Sequence, residues 1–155
     1  MTLAIPVQGP EPGAIAYEGL VTRAIAFSVD AALINLAAIL VGLAVGLTAS
    51  VLGVPESVET VLLACGGVAF LAWTTAYFVT FWATTGQTPG NRLLKIRVCR
   101  ADDGAVLRPR QALLRLACLV LAAIPLFAGL LTILVDDRRR GLHDMLAGTV
   151  VVDAP

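Results

Sequence analysis

Three long apolar stretches divide the chain, at residues 24–52, 60–83 and 113–135. Each of the first two has about 20 or more mostly apolar residues, which is the length that a helix needs to cross a hydrocarbon core of about 30 Å. The short connection between them, at 53–59, contains Glu56 and Glu59 and no basic residue. The pattern therefore predicts two full transmembrane helices that are joined on the outer side of a membrane.

The third apolar stretch is interrupted by Pro125 and Gly129 and is followed by Arg138, Arg139 and Arg140. A full third crossing would place these arginines outside, although basic loops usually stay in the cytoplasm. A broken or re-entrant segment would return them to the cytoplasm, and irregular backbone is tolerated at membrane depth where protein or a wet cavity surrounds it. We favour the re-entrant arrangement, but a kinked full span also fits the length. The side of the C-terminus stays open.

More than half of the basic side chains lie in the segment at 84–110, which we expect in the cytoplasm. Its apolar residues at 94, 96 and 98 alternate with Lys95 and Arg97, which is a strand pattern. Asp103 and Gly104 favour a tight turn, so residues 105–107 are predicted to return as a second strand. Because a lone hairpin is marginally stable in water, we expect residues 149–152 to add a third strand.

These patterns predict an all-α integral membrane protein with a small cytoplasmic β hairpin or cap. Residues 1–16, which contain three prolines, are expected to form a flexible cytoplasmic tail. Residues 17–152 are expected to form one membrane domain that ends in a cytoplasmic C-terminal segment at 136–152. The protein would then be a multi-pass protein of the cytoplasmic (inner) membrane with its N-terminus in the cytoplasm.

Composition narrows the class of function. Hydrophobic residues make up 58% of the chain, so a lipid bilayer is its expected environment, and the formal net charge of zero gives no reason to expect nucleic-acid binding. The chain has one histidine, and its three cysteines lack CxxC spacing, so we expect no metal site. Neither an activated nucleophile nor a phosphate loop is present. We therefore expect no enzymatic activity and no cofactor.

Small residues recur every four positions along the first predicted helix, at Ala38, Gly42, Gly46 and Ser50. Such a stripe allows the backbone of another helix to approach closely. Packing against the second helix of the same chain is the favoured interpretation, and a homodimer face is the alternative. Four aromatic residues near the end of the second helix are interpreted as an interfacial belt, with a ligand pocket as the alternative: Trp73, Tyr77, Phe81 and Trp82.

Arg23 and Asp30 are charged residues at the start of the first apolar stretch, and their spacing of seven places them on nearly the same helix face. Their axial separation of about 10 Å makes a direct bond stretched, so partners from elsewhere are expected. We expect Arg115 to neutralise Asp30 and Asp144 to contact Arg23. Such a network can simply fix helix register, or Asp30 can exchange a proton or bind a cation.

Two further sites have both a functional and a plain interpretation. His143, beside Asp144, could titrate near neutral pH and relay protons, or it could be a satisfied interfacial side chain. Arg138, Arg139 and Arg140 could contact an anionic lipid headgroup, or they could serve only to fix the topology.

Several of these residues belong to motifs that resemble the RDD family of small prokaryotic membrane proteins. The motifs are Arg23 with Asp30, GQTPGNRLL at 86–94 followed by Arg97-Val98, Arg115, and RGLHDMLAGTVV at 140–151. The resemblance implies that Arg23, Asp30 and Asp144 are the arginine and two aspartates for which the family is named. Asn91 departs from the pattern, because the family usually has a basic residue there.

The resemblance implies a transport-related role, with cation/proton exchange proposed for some family members. Asp30 would then handle protons or small cations, and we expect an oligomer because two or three helices enclose little path alone. The alternative is a non-catalytic accessory or assembly subunit of a larger membrane transport complex. A transporter should function when purified alone in vesicles, whereas a subunit should co-purify with something larger.

Overall fold

A computed structural model describes residues 17–123, 132–134 and 136–154 of the protein. In chain order its elements are α1 (Leu20–Val51), α2 (Glu56–Thr84), α3 (Pro89–Leu93), β1 (Ile96–Arg100), α4 (Pro109–Ala123), a 3₁₀ turn (Thr132–Leu134), α5 (Leu142–Ala147) and β2 (Thr149–Asp153). The expected tail at 1–16 and the expected break at Pro125 and Gly129 lie outside the described residues. The described part of the third apolar stretch begins as α4.

Two helices dominate the structure, and both coincide with predicted transmembrane stretches. α1 has 32 residues and α2 has 29, and both are long and apolar enough to cross a membrane. No proline interrupts either helix, and Glu56 and Glu59 lie in the first turn of α2, where acidic side chains favour a helix N-terminus. The fold is thus mostly helical, as predicted.

Most side chains are exposed at the end of this helix pair nearest the connecting loop, although Ala49 is buried. Leu47 in α1 is 66% exposed, and Leu63 in α2 is 78% exposed. Gly42, Gly46 and Ser50 are also exposed, and nothing lies within 4 Å of the Cβ position at Gly42 or Gly46. The prediction that this stripe packs against the second helix is therefore wrong at these three positions, because α1 and α2 meet near their other ends. Ala38 is half-buried.

The hydrophobic core lies at the end of the helix pair that is farther from the connecting loop. Phe78 stacks with Phe27 of α1 at a centroid distance of 5.1 Å, and it packs against Trp82 at the same distance. Trp82 is 2% exposed, so its assignment to an interfacial belt is wrong, whereas Trp73 is exposed. The core continues through Ile96, Val98 and Val151 of the sheet, Ala112 of α4, and Leu107, which precedes α4.

The sheet has two antiparallel strands among the described residues, β1 and β2, with Val98 opposite Val151. The predicted turn is present, since Gly104 has a φ of 68° and its N–H donates to the carbonyl of Arg100. The predicted second strand at 105–107 is wrong. The carbonyl of Ala105 accepts the N–H of Arg100, but the N–H of Leu107 donates to the carbonyl of Trp82 and no strand forms. The predicted third strand at 149–152 is therefore the direct partner of β1. A single bridge joins Tyr17 to Val152 beside it.

Candidate functional site

Asp144 lies at the centre of a buried cluster that joins three helices and the sheet. It is 0% exposed. One carboxylate oxygen, Oδ2, accepts a hydrogen bond from Arg23 of α1 at 2.5 Å and one from the backbone N–H of Gly141 at 3.0 Å. The other, Oδ1, accepts from Arg115 of α4 and from the hydroxyl of Thr149 in β2 at 3.2 Å. One carboxylate thereby ties α1, α4, α5 and β2 together.

Local sequence explains why α5 presents Asp144 to this cluster. Asp144 lies in the first turn of α5, where its side chain can accept the free N–H of Gly141. A Cβ at Gly141 would lie 2.5 Å from the ring of His143, so the tight entry to the helix requires glycine there. Gly148 ends α5 in the left-handed conformation and lets Thr149 enter β2 directly.

The two arginines make further contacts that fix their positions. The guanidinium of Arg115 lies over the ring of Trp82 at 5.0 Å from its centroid, and it donates to the hydroxyl of Thr149 at 2.6 Å. Arg23 donates to the carbonyl of Glu18 at 3.1 Å and to that of Arg139 at 2.7 Å. Both guanidiniums are buried, so the two positive charges share one carboxylate in a desolvated site.

Electrostatics set the protonation states of Asp144 and its neighbour His143. Burial alone would raise the pKa of Asp144, but Arg115 and Arg23 outweigh it and lower that pKa to about 2. Burial lowers the pKa of His143 to about 4, and Asp144 opposes this only in part. The lowered pKa favours a neutral His143 near pH 7, and proton relay by His143 stays a prediction. Among the described residues, its Nδ1 has no hydrogen-bond partner.

Asp30 occupies a separate buried site on α1 and is 1% exposed. Its Oδ1 accepts a hydrogen bond from the hydroxyl of Tyr77 in α2 at 2.8 Å and one from the N–H of Gly90 at 2.8 Å. Its Oδ2 accepts from the hydroxyl of Thr88 at 2.5 Å. All three donors are neutral, and within the described ranges no basic side chain forms an ion pair with Asp30.

The loop that leads into α3 is built to reach Asp30. Thr88 caps α3 by accepting the N–H of Asn91, and Pro89 occupies the first turn, where the lack of an N–H is tolerated. Gly90 approaches α1 so closely that a Cβ would lie 2.2 Å from the carbonyl oxygen of Ala26. Asn91 is buried, so this loop packs into the helix pair instead of facing solvent.

The four charged residues have partners that differ in part from the prediction. The expected contact between Arg23 and Asp144 is present. The expected contact between Arg115 and Asp30 is wrong, because Arg115 points to Asp144 and Thr149 instead. Sequence reasoning did not find the hydroxyl donors to Asp30 or the role of Thr149. Thr88 and Gly90 did stand in a quoted motif, but Tyr77 was interpreted only as an aromatic.

The three arginines before α5 differ in their surroundings. Arg140 pairs with Asp136 through two contacts of 2.9 Å, and the same carboxylate accepts the N–H of Arg138 at 3.1 Å. Arg139 has a φ of 49° and directs its carbonyl to Arg23. The Asp136 carboxylate thus orders the turn that supplies one partner of Arg23. A headgroup contact by these arginines stays a prediction.

Groups with metal-ligand chemistry are dispersed. Within residues 17–123, 132–134 and 136–154, no three His, Cys, Asp or Glu side chains form a group that could bind a metal ion. Cys65 is exposed, whereas Cys99 and Cys118 are buried, and all three thiols are free. Burial raises the pKa of the Cys99 thiol.

The chain is similar to one family model and to a curated protein. An uncharacterised protein of Rickettsia prowazekii is 35% identical over 77 residues, which cover 50% of this chain and 42% of that protein, so the match spans less than half of its length. No solved structure matches. The model of the RDD family matches residues 17–148, a range that includes Arg23, Asp30 and Asp144. The chain belongs to the RDD family.

Proposed function

We propose that this protein spans a membrane through α1 and α2 and that Asp30 exchanges a proton or a small monovalent cation. The observation that carries the exchange proposal is the charge of the Asp30 site. A carboxylate that is 1% exposed accepts hydrogen bonds from neutral groups alone among the described residues. Buried charges in proteins are normally paired, and acidic residues within transmembrane helices mark proton or ion sites.

Membrane insertion is supported by the exposure of the helix pair. Leu40, Leu47 and Leu63 are each more than half exposed on helices that are long and apolar enough to span a bilayer. Contiguous apolar surface of this kind is unusual on soluble monomers. The exposed basic residues Arg92 and Lys95 follow α2, which favours a cytoplasmic location for the sheet.

The ligand class follows from the atoms around Asp30. The site offers the carboxylate oxygens and the hydroxyl oxygens of Tyr77 and Thr88, and oxygen ligands suit hard cations. One negative charge is balanced by one proton or one monovalent cation. Asp144 is less suited to this role, because two guanidiniums already compensate its charge.

A flux assay with a pH-sensitive dye tests the exchange. Purified protein in sealed vesicles receives a pH gradient and then Na⁺, K⁺ or Li⁺. We expect proton movement that depends on the added cation, is lost in Asp30→Asn, and is kept in the control Asp102→Asn, whose side chain is exposed. Because Asp30 also anchors α3, the thermal unfolding midpoint of each variant is measured first. Absence of flux from folded wild type would refute a self-sufficient exchanger.

An accessory subunit is the second candidate, and the open stripe of small residues on α1 favours it. Gly42 and Gly46 have free space at their Cβ positions, so another helix could approach the backbone there. Under this proposal Asp30 fixes α3 to α1, and the protein acts through a larger membrane complex. Co-purification with a stoichiometric partner, together with a lack of flux by the isolated protein, is the expected result.

A further inference from the structure

A groove of about 730 Å³ lies between α2 and the first residues of α4. Its lining on α2 recurs at three- and four-residue spacing, so these side chains share one face of the helix. The lining includes the small residues Ala72, Thr75 and Ala76 and the larger residues Val68, Leu71 and Leu113. Val68, Leu71 and Leu113 are all more than half exposed. In a helix that spans the membrane, this apolar surface would lie at the depth of the acyl chains.

The length of the groove matches one leaflet of a bilayer. It extends along α2 from Val68 to Val79, which is about 17 Å at the helical rise of about 1.5 Å per residue. The hydrocarbon core of a membrane is about 30 Å thick. The groove is thus about half as long as the core and begins near the cytoplasmic end of α2, where a lipid of that leaflet has its headgroup.

One end of the groove is positively charged. Arg110 lines it beside Pro109, and its guanidinium is exposed and has no ion-pair partner among the described residues. The first turn of α4 contains no acidic residue that could neutralise it. The N-terminus of α4 itself also favours a negative charge at this end.

We propose that this groove binds one anionic phospholipid, with an acyl chain along α2 and its phosphate at Arg110. The apolar lining favours an acyl chain, and Arg110 at one end favours a negatively charged headgroup. The inference rests on the membrane insertion proposed above but is independent of ion exchange at Asp30. It differs from a headgroup contact at Arg138 to Arg140, since it places the headgroup on α4.

Native mass spectrometry of the full chain in detergent tests the site. Phosphatidylglycerol and phosphatidylcholine with identical acyl chains are titrated in parallel. We expect one phosphatidylglycerol per chain and a preference of about fivefold over phosphatidylcholine, as one basic residue near a headgroup would give. Ala76→Phe should abolish binding of both lipids by filling the groove. Arg110→Gln should remove the preference and leave both lipids bound equally.

Two matched variants control for non-specific effects. Ala64→Phe adds the same side chain at an exposed position on α2 outside the groove, and Arg92→Gln removes an exposed arginine from α3. Both should bind lipid as the wild type does. Equal binding of the two lipids by wild type, or identical behaviour of Ala76→Phe and Ala64→Phe, would overturn the proposal. So would a protein dimer that only Ala76→Phe dissociates, because it would assign the groove to a second copy.

Extraction of membranes with alkaline carbonate separates failure of this site from failure of membrane insertion. Wild type that is released from membranes would refute insertion, and both proposals would fall with it. Wild type, Ala76→Phe and Arg110→Gln should instead all stay in the membrane. Under that result, the lipid titration alone decides whether the groove is a binding site.

Discussion

Replacing Asp144 with Asn should destabilise the protein far more than replacing an exposed aspartate. The substitution keeps the shape of the side chain, but an amide has only one acceptor oxygen. One of the buried guanidiniums, Arg23 or Arg115, would then face an NH₂ group, and two positive charges would remain without a counter-charge. Removing one partner of a buried ion pair costs about 3–5 kcal/mol. That is a large part of a typical unfolding free energy of about 5–15 kcal/mol.

The assay is reversible unfolding in mixed micelles, monitored by tryptophan fluorescence. Trp82 is buried against Arg115 and so reports on the cluster itself. The matched control is Asp103→Asn, since Asp103 pairs with Arg100 at the surface and its side chain is 46% exposed. We expect the control to lose less than about 1 kcal/mol.

A double variant tests whether the loss at Asp144 comes from the ion pair. Arg115→Leu combined with Asp144→Asn should lose less unfolding free energy than the sum of the two single variants, because residues in one network are not independent. Equal losses for Asp144→Asn and Asp103→Asn would contradict the reasoning, and so would strict additivity in the double variant.

Three further predictions follow from the same contacts. His143 is the only histidine, and its lowered pKa means that the unfolded state binds more protons than the folded state between about pH 6.5 and 4. The unfolding free energy should therefore fall by roughly 3 kcal/mol as the pH decreases through this window, and His143→Gln should remove this dependence on pH. For Asp144, whose pKa is lowered to about 2, the contribution is present above about pH 3.8 and should be lost as the pH falls toward 2, which acid titration of wild type against Asp144→Asn would measure. Gly90→Ala should lower the unfolding free energy by about 1–3 kcal/mol, because its Cβ would meet the carbonyl of Ala26. Gly42→Ala, which has free space around it, should leave the thermal unfolding midpoint unchanged or raise it. Equal midpoints for these two variants would contradict the packing of α3 on α1.

The helices were predictable because their signal is local. A run of apolar residues without proline favours a helix whatever surrounds it, and both long helices begin only about four residues before the predicted stretches. The strand at 96–100 was also visible as alternation. The partner of this strand could not be predicted, because residues 105–107 and 149–152 both have strand-like sequences. The N–H of Leu107 donates a hydrogen bond to the carbonyl of Trp82, so residues 105–107 do not form a strand of the sheet.

The charged residues of the site were identifiable, but only some of their partners were. Arg23, Asp30, Arg115 and Asp144 are conspicuous as charges within or beside apolar sequence. Sequence spacing does not state which of two aspartates lies near Arg115, since that depends on how α4 packs against α2 and α5. Neutral hydrogen-bond partners are harder to predict than charged ones. Tyr77 has the spacing of an ordinary aromatic residue in a helix, and nothing in the local sequence indicates that its hydroxyl reaches Asp30.

The sequence by itself therefore determined the two long apolar helices, the first strand and the charged residues that belong to the site, because periodicity, composition and charge act over a few neighbouring residues. Only the tertiary structure decided that Asp144 gathers both arginines while Asp30 is left with neutral donors. These pairings join residues far apart in the chain, and each buried donor or acceptor must find its partner within the packed core. That requirement is satisfied by the fold as a whole and not by any single segment.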